Sequence, residues 1–419
     1  MIDWLTLNVP FYTKYSEFDY SFETGKPVKV VPHPLNLWDL GIPLQVSYDA
    51  EIQLIDSSVR HAWESVPSNY SGMATKVVDF RNIQNPRFFV LIQGSPAKLM
   101  QGHNVYGSLD LELCSSYMLN LLRKKYPLMC SHLDFRYTKV EQMDITFFTR
   151  ACTNAEAKQF IDFLASVSKG HTKARTAYKG QTVYFGKQNS RIRKLKVYFK
   201  LDEVEAYKEK LEKGMNKGSL DGRRLAKIYT PELLDFCNGM IRWEASLKSR
   251  WFERRGISNY LSYLIKSAEP VNYWHDAFGN IIESLRGKEF KMVNDEQIEN
   301  LLKEKFFTVS DKTGKVSYTK ALNCFIFYRN IKSFGFIETK RVTPKKTFYR
   351  SLDMLEEIGI CRAMLQNLTP QGFSNVIPIV KYITVDFGAQ YPPNFDMGIY
   401  EKLAAQMQRE AQISMASVA

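Results

Sequence analysis

Met240–Lys248 reads MIRWEASLK: Ile241, Trp243, Ala245 and Leu247 fall on one side of a period of two, and Arg242, Glu244, Ser246 and Lys248 on the other. Successive side chains of a β-strand point to opposite faces, so this is a strand with one apolar and one polar face. Two more stretches have the same form. In Val140–Phe148 (VEQMDITFF), Met143, Ile145 and Phe147 oppose Gln142, Asp144 and Thr146. In Leu195–Leu201 (LKVYFKL), Leu195, Val197, Phe199 and Leu201 oppose Lys196, Tyr198 and Lys200. If the three share a sheet, Asp144, Glu244, Tyr198, Lys196 and Lys200 converge on one surface. Alternation also appears at Ile2–Val9, Arg87–Ile92 and Thr182–Phe185.

Helix signals lie between these strands. Thr153 and Glu156 have capping-box spacing ahead of Phe160, Ile161 and Leu164, and Asp110 opens a run with Leu113, Tyr117, Leu121 and Leu122. Lys213–Arg224 (KGMNKGSLDGRR) reads as an exposed loop. The pattern predicts an α+β domain with an antiparallel or mixed sheet over residues 1–255. A connecting segment is expected at 256–291. A mainly helical domain over 292–400 follows, with helices at Asp295–Lys305, Tyr318–Ser333 and Pro344–Ile358, the last ended by Gly359, and a strand at Asn375–Phe387. That order suits a helix-turn-helix or winged-helix module. Residues 401–419 are expected to be a loose tail.

The chain has 419 residues and a formal net charge of +13, which favours a polyanionic partner. The charge is concentrated. Lys169–Lys200 holds ten basic residues and no acid, and Lys312–Arg350 holds ten basic residues and one acid, Glu338. Two separated basic blocks suit two nucleic-acid contacts, with Lys173, Arg175, Lys179, Arg191, Arg193, Lys194 and Lys196 in the first and Lys345, Lys346 and Arg350 in the second. No apolar run approaches the roughly 20 residues of a membrane span, and no signal peptide is evident at the N-terminus. The six cysteines lack zinc spacing and read as reduced thiols of a cytosolic protein; no H-x-H or H-x-x-x-H occurs among the six histidines.

Asp144 and Glu244 on adjacent strands could hold a hard divalent cation, Mg²⁺ or Mn²⁺, which polarises a phosphodiester. A tyrosine, with a free pKa of about 10, is a poor nucleophile without cationic neighbours, which Lys196 and Lys200 would supply to Tyr198. The plainer alternative is a solvated polar face that carries one of the 23 tyrosines by chance. Tyr178 and Tyr184 are rival nucleophiles in the same basic block, Tyr184 the stronger. His103, in a Gly-flanked loop, is either a further ligand for metal or phosphate or a structural residue.

Ser95-Pro-Ala-Lys-Leu-Met-Gln-Gly-His-Asn-Val-Tyr-Gly107 resembles the filamentous-phage gene II replication proteins, as do Met1-Ile-Asp3, Pro67–Gly72 and Phe236–Glu244. The resemblance extends to Lys305–Lys315 and Asn375–Phe387. More distantly, Thr182–Ser190, Tyr198-Phe-Lys200 and Arg242-Trp-Glu244 resemble rolling-circle plasmid initiators of the Rep_trans type. The resemblance implies an origin-specific nickase and strand-joining enzyme in the host bacterial cytoplasm. It would cut the viral strand of double-stranded replicative-form DNA through a covalent phosphotyrosine, leave a 3′-OH primer, and later seal the displaced single strand. Matching positions make Tyr198 the nucleophile, Lys200 the phosphate partner and Asp144 and Glu244 the metal ligands. Host helicase and DNA polymerase would be partners, and oligomerisation on DNA is expected. The family also makes a shorter DNA-binding product from an internal start, here Met292. The His-hydrophobe-His metal motif of many rolling-circle nickases is missing, so carboxylates replace it or His103 contributes a ligand. The alternatives are a non-catalytic DNA-binding replication or copy-control protein and an RNA-binding protein, for which the RNP pattern is missing.

Overall fold

The computed structural model describes residues 1–15, 61–80, 87–166, 182–187, 189–215, 227–286, 295–310, 314–358 and 382–416, with the short pieces 19–20, 27–28, 35, 37–42, 48–49, 54–55, 168–169, 172–177, 360 and 365. Its centre is a ten-stranded sheet. In chain order the strands are β1 (Ile2–Pro10), β2 (Glu64–Pro67), β3 (Gly72–Phe80), β4 (Arg87–Gly94), β5 (Lys139–Arg150), β6 (Ser168–Lys169), β7 (Thr172–Ala177), β8 (Thr182–Phe185), β9 (Arg193–Phe199) and β10 (Met240–Lys248). Their spatial order is β6-β7-β8-β9-β10-β5-β1-β4-β3-β2, and every neighbouring pair runs antiparallel.

The second face of the sheet is not left to water. Over it lie α1 (Pro96–Gln101), the 102–109 loop and a helix that opens at Lys200, with α2 (Leu111–Lys125) packed beside α1 on β1 and β2. Asp110 caps α2 as the spacing predicts, accepting from Leu113 N–H at 3.0 Å. The first face, made by the apolar sides of the adjacent strands β9, β10 and β5, is covered by α3 (Asn154–Ser166) and a long helix over Pro270–Arg286. Trp243 is the centre of this layer: its ring lies 6.1 Å from Phe160 and 5.5 Å from Phe278, and its Nε1 donates to Thr149 Oγ1 at 3.1 Å. Buried apolar rings carry most of such a core's stabilisation. α3 begins as its sequence dictates. Thr153 Oγ1 accepts from Glu156 N–H at 3.1 Å, and the Glu156 carboxylate accepts from Cys152 N–H at 3.0 Å.

Lys200 and Leu201, expected to end a strand, instead open α4 (Lys200–Met215). The alternation runs past the turn, but Asp202 and Glu203 in the first helical turn suit a helix N-terminus. Lys213–Met215, expected as loop, are helical; 216–224 lie outside the described residues. Two short helices, α5 (Pro231–Phe236) and α6 (Ser249–Glu253), stand before and after β10.

The segment 256–291, expected to connect, contains α7 (Leu261–Ser267) and α8 (Pro270–Arg286), both packed in the first hydrophobic cluster. A second cluster is built by α9 (Asp295–Lys305), α10 (Thr319–Phe334), α11 (Phe336–Val342) and α12 (Lys345–Glu357). The three expected helices are there, with α11 added after Gly335 and a short hairpin of Thr308–Val309 and Val316–Ser317 placed before α10. Of the strand expected at Asn375–Phe387, residues 375–381 lie outside the described residues, and 382–387 form none. The tail expected to be loose is the helix α13 (Gly398–Ala416), whose Tyr400 and Met407 are buried in the first cluster together with Tyr382 and Ile383. Met292 and Gly359 also lie outside the described residues.

The turn into β10 depends on Gly239. Its φ is +66°, and a Cβ there would stand 2.2 Å from the carbonyl oxygen of Ala151. Gly239→Ala should therefore cost more than about 2 kcal/mol, whereas Gly256→Ala, with φ of +64° and open space above it, should cost only about 1 kcal/mol. Denaturant melts of the two variants check this; equal costs would show that the carbonyl can move aside.

Candidate active site

Strand register sorts the polar face into rows. Tyr198 of β9 stands opposite Arg242 of β10, and Lys196 opposite Glu244. Glu244 in turn faces Thr146 of β5, and Ser246 faces Asp144. On the outer side, β8 places Thr182 opposite Tyr198 and Tyr184 opposite Lys196. The convergence expected from alternation is thus set by backbone pairing. Lys200 reaches the group from the first turn of α4 rather than from β9.

What alternation did not indicate is that this polar face is itself interior. Arg242 is 1%, Tyr198 3% and Lys200 0% exposed. Charges so far from water must be neutralised and hydrogen-bonded. Asn104, in the loop after α1, does much of this. Its Nδ2 donates to Asp3 Oδ1 at 2.9 Å, its Oδ1 accepts from Lys200 Nζ at 3.1 Å, and its carbonyl accepts from Arg242. Arg242 also lies 3.6 Å from Asp3 Oδ2 and 3.3 Å from Met1 Sδ, and Lys200 pairs with Glu203 at 3.1 Å. The S-P-A-K-x-x-Q-G-H-N stretch is the scaffold of this loop. Ser95 caps α1, Gly102 takes the left-handed conformation at its end, and Gln101 Nε2 donates to Tyr106 O at 2.6 Å.

The fields follow from these contacts. Burial pulls the Lys200 ammonium down to about 8, against the opposing pull of Glu203. Burial also raises the Tyr198 phenol well above its ordinary value, with Glu203 adding to the effect and Arg242 opposing it. Burial disfavours the Asp3 carboxylate, but Arg242 and Lys200 hold it below the usual range. Asp144 behaves in the opposite way. Burial and then the Glu244 carboxylate push it up to about 8, although Gln142 Nε2 donates to it at 2.9 Å. Lys196 bonds Glu244 at 3.3 Å and sits 3.9 Å over the Tyr198 ring; Lys200 is 5.9 Å from the same ring. Thr146 Oγ1 and Glu203 Oε2 are buried without a hydrogen-bond partner among the described residues.

Tyr198, Lys196, Lys200 and Glu244 are thus neighbours, whereas Asp144 stands on the far side of Glu244, level with Ser246 and four residues along β10 from the Tyr198–Arg242 row. Tyr184 is half-buried one strand further out. His103 lies in the loop after α1; among the described residues no group of three His, Cys, Asp or Glu side chains is arranged to hold a metal ion. Its Nδ1 accepts from Val105 N–H at 3.3 Å, and burial, then Lys200 and Arg242, lower its pKa to about 3, so the ring is neutral. Among the expected DNA contacts, Arg191, Lys194, Lys345, Lys346 and Arg350 are exposed and Arg193 is half-buried. Lys173 and Arg175 belong to β7, with Arg175 in register with Tyr184. Tyr178 and Lys179 lie outside the described residues. Sequence reasoning missed Asp3, Asn104 and Arg242. All three lie inside stretches quoted for the resemblance, and Arg242 was otherwise placed only on the polar face of β10.

A family model described as the N-terminal part of the phage gene II replication-associated protein matches residues 1–268, which hold every residue of this site. A second, described as its C-terminal part, matches residues 311–398. The gene II replication-associated protein of Enterobacteria phage M13 is 32% identical over 358 residues, covering 83% of this chain and 86% of its own. That of Salmonella phage IKe is 31% identical over 410 residues, covering 94% of this chain and 95% of its own. No solved structure gives a significant match.

The bridge made by Asn104 has a measurable weight. Asn104→Leu keeps the branched shape but leaves Asp3 and Lys200 each short of a buried partner, so it should cost about 2–4 kcal/mol. Ser95→Ala, which removes only a 3.5 Å contact to Asp3 and one helix cap, should cost about 1 kcal/mol. Chemical denaturation measures both, and an Asn104→Leu protein as stable as the parent would remove Asn104 from its bridging role.

Proposed function

The chain belongs to the family of phage gene II replication-associated proteins, and on that footing we propose that this phage replication initiator nicks and rejoins one DNA strand with Tyr198 as nucleophile. The observation that carries the reading is the register row itself. It sets a tyrosine opposite Arg242 and close to two lysine ammonium groups, one row from Glu244, with Asp144 beyond Glu244 on β5. Attack of the phenolic oxygen on the scissile phosphorus forms the tyrosine–phosphate bond and breaks the bond to the 3′ oxygen; the phenol gives up its proton and the expelled 3′ oxygen takes one up, so the step is proton-neutral. Lys200 and Arg242 are placed to neutralise the phosphorane oxygens. The reverse attack by a 3′-OH restores the phosphodiester and frees the tyrosine. A hydrolase would lose the bond energy to water; the low exposure of Tyr198 works against that loss.

The residues fit a hard cation in a limited way. Asp144 and Glu244 offer two carboxylates whose mutual repulsion a cation would relieve, and Mg²⁺ commonly takes one or two carboxylates and fills its shell with water and phosphate oxygens. When bound there, Mg²⁺ or Mn²⁺ would supply charge to the phosphate oxygens. Lys196, held on Glu244, competes for the same carboxylate and keeps it oriented. By the family reading, origin duplex is the substrate, the released 3′-OH primes the host polymerase, and a host helicase opens the duplex. The second helical cluster is then the auxiliary DNA-binding part. On α12, Lys345, Lys346 and Arg350 are exposed, Lys346 and Arg350 on the side away from Phe348, Leu352 and Leu355, and α11–α12 would act as a helix-turn-helix. The fragment beginning at Met292 would carry this surface without the nicking site.

Tyr184 is the rival, because it is more exposed and also faces Lys196. Tyr198→Phe should lower nicking of supercoiled origin DNA by at least about a thousandfold with DNA binding retained. A Tyr198→Phe protein that still nicks, beside a Tyr184→Phe protein that does not, would transfer the role to Tyr184.

The pH profile should show both titrating groups. Lys200 must stay protonated to meet a phosphate, so nicking should fall as pH rises through about 8. Asp144 must lose its proton to hold a cation, so nicking should rise as pH climbs toward about 8. Raising Mg²⁺ should move the acid limb to lower pH and leave the alkaline limb in place. Rate profiles at two Mg²⁺ concentrations check this; an acid limb indifferent to Mg²⁺ would take Asp144 out of the metal site.

A further inference from the structure

On the sheet face opposite Tyr198, a groove opens between the β8–β9 turn, the residues after α6 and one side of α8. Its lining includes Lys187, Arg193, Arg254 and Arg255 against a single carboxylate, Asp276. Arg255 is committed: it stacks on Trp251 with its guanidinium 4.1 Å from the ring and bonds Asp276. None of the ion pairs among the described residues engages Lys187, Arg193 or Arg254. The groove therefore holds uncompensated positive charge. Burial and then Arg255 beside it lower the pKa of Arg193, with Asp276, the groove's one carboxylate, opposing them.

The backbone around the groove is also open. Gly186, in the turn with φ of +93°, and Gly279, exposed in the interior of α8, would each meet nothing within 4 Å if given a Cβ. An interior helix glycine costs about 1 kcal/mol against alanine. Nothing packs over Gly279 to require it, so its place in the floor of a cationic groove gives it a use: a bulky anion can approach the helix backbone there.

The position suggests the source of that anion. Along β9 the polar face carries Tyr198, Lys196 and Lys194, which span four residues, or about 13 Å. Arg191 follows in the turn, and the groove begins directly behind it with Arg193 and Lys187. Cationic side chains thus continue from Lys196 and Lys194 past Arg191 at the strand ends to Arg193 and Lys187 on the reverse face. We propose that this groove is a second DNA-phosphate site, which grips the backbone of the same DNA whose scissile phosphate faces Tyr198. The inference rests on the nicking reading for its partner, while its test reads binding alone.

The test uses the full-length chain in EDTA with a mixed-sequence single strand of about 40 nucleotides and the matching duplex, titrated over a salt series by fluorescence anisotropy. Gly279→Glu sets a carboxylate in the groove and should weaken binding about tenfold or more. Gly279→Arg should bind at least as tightly as the parent, with Gly279→Gln as the size control. All three replace glycine by better helix formers, so unfolding is not expected, and melting temperature verifies that. Arg254→Gln should make the slope of log K against log salt shallower by about 0.9 on duplex or about 0.7 on single strand. An effect confined to one probe assigns the groove to that form of DNA. Equal affinities for the Glu, Gln and Arg variants and the parent would overturn the proposal. A parent protein that binds DNA but never nicks would instead count against the catalytic reading and leave this result intact.

Discussion

Arg242 sits in the middle of a sheet, beneath a helical cover, and cannot give up its proton. The architecture around it can be understood as the means of tolerating that charge. Asp3 comes from the first strand, Asn104 from the loop after α1, and Tyr198 from the neighbouring strand; Lys200 joins from α4 by way of the shared Asn104. Asp3 and Asn104 are 101 residues apart and Arg242 lies another 138 beyond Asn104, so neutralising one guanidinium fixes the relative placement of distant elements. An apolar contact tolerates a small shift better than a buried, hydrogen-bonded ion does. The same network holds two cations within reach of Tyr198, so the constraint that shapes the fold also shapes the chemistry.

The cover over the polar face explains why alternation was right about strands and incomplete about the site. Period two assigns faces without saying whether a polar face meets water. In β5, β9 and β10 one polar face is overlaid, and its residues are recruited rather than solvated. Lys200 shows the limit most clearly. The alternation continues through LKVYFKL, yet the acidic first turn of a charged, amphipathic run, LDEVEAYKEKLEK, claims Lys200 for the helix. Asn104 gave no pattern of its own, because a single loop asparagine has neither period nor charge. Only its place in an unusual Ser–Pro to Gly–His–Asn stretch distinguished it. The helices of the second cluster were legible because each is an independent amphipathic repeat; α11, at seven residues, is too short to show a period.

The carboxylates show a division of roles made by environment. Asp3 and Asp144 are both buried aspartates on neighbouring strands. Asp3 lies among cations and stays ionised, a structural counter-charge. Asp144 lies beside another carboxylate and holds its proton more tightly. The same side chain is thus a fixed ion in one place and, in the other, a carboxyl that holds its proton above the ordinary carboxylate range.

The return of Tyr382, Ile383, Tyr400 and Met407 to the first hydrophobic cluster bears on how the molecule comes into being. The helices of the second cluster occupy the sequence between the two halves of that first core, so on the ribosome they emerge before the core can close. Synthesis proceeds at about 5–20 residues per second, which leaves the sheet waiting several seconds with the seats of those four side chains empty. The catalytic body is therefore finished late in translation. A chain cut short before Met407 would lack not a dispensable tail but the last pieces of the wall behind its own active strands.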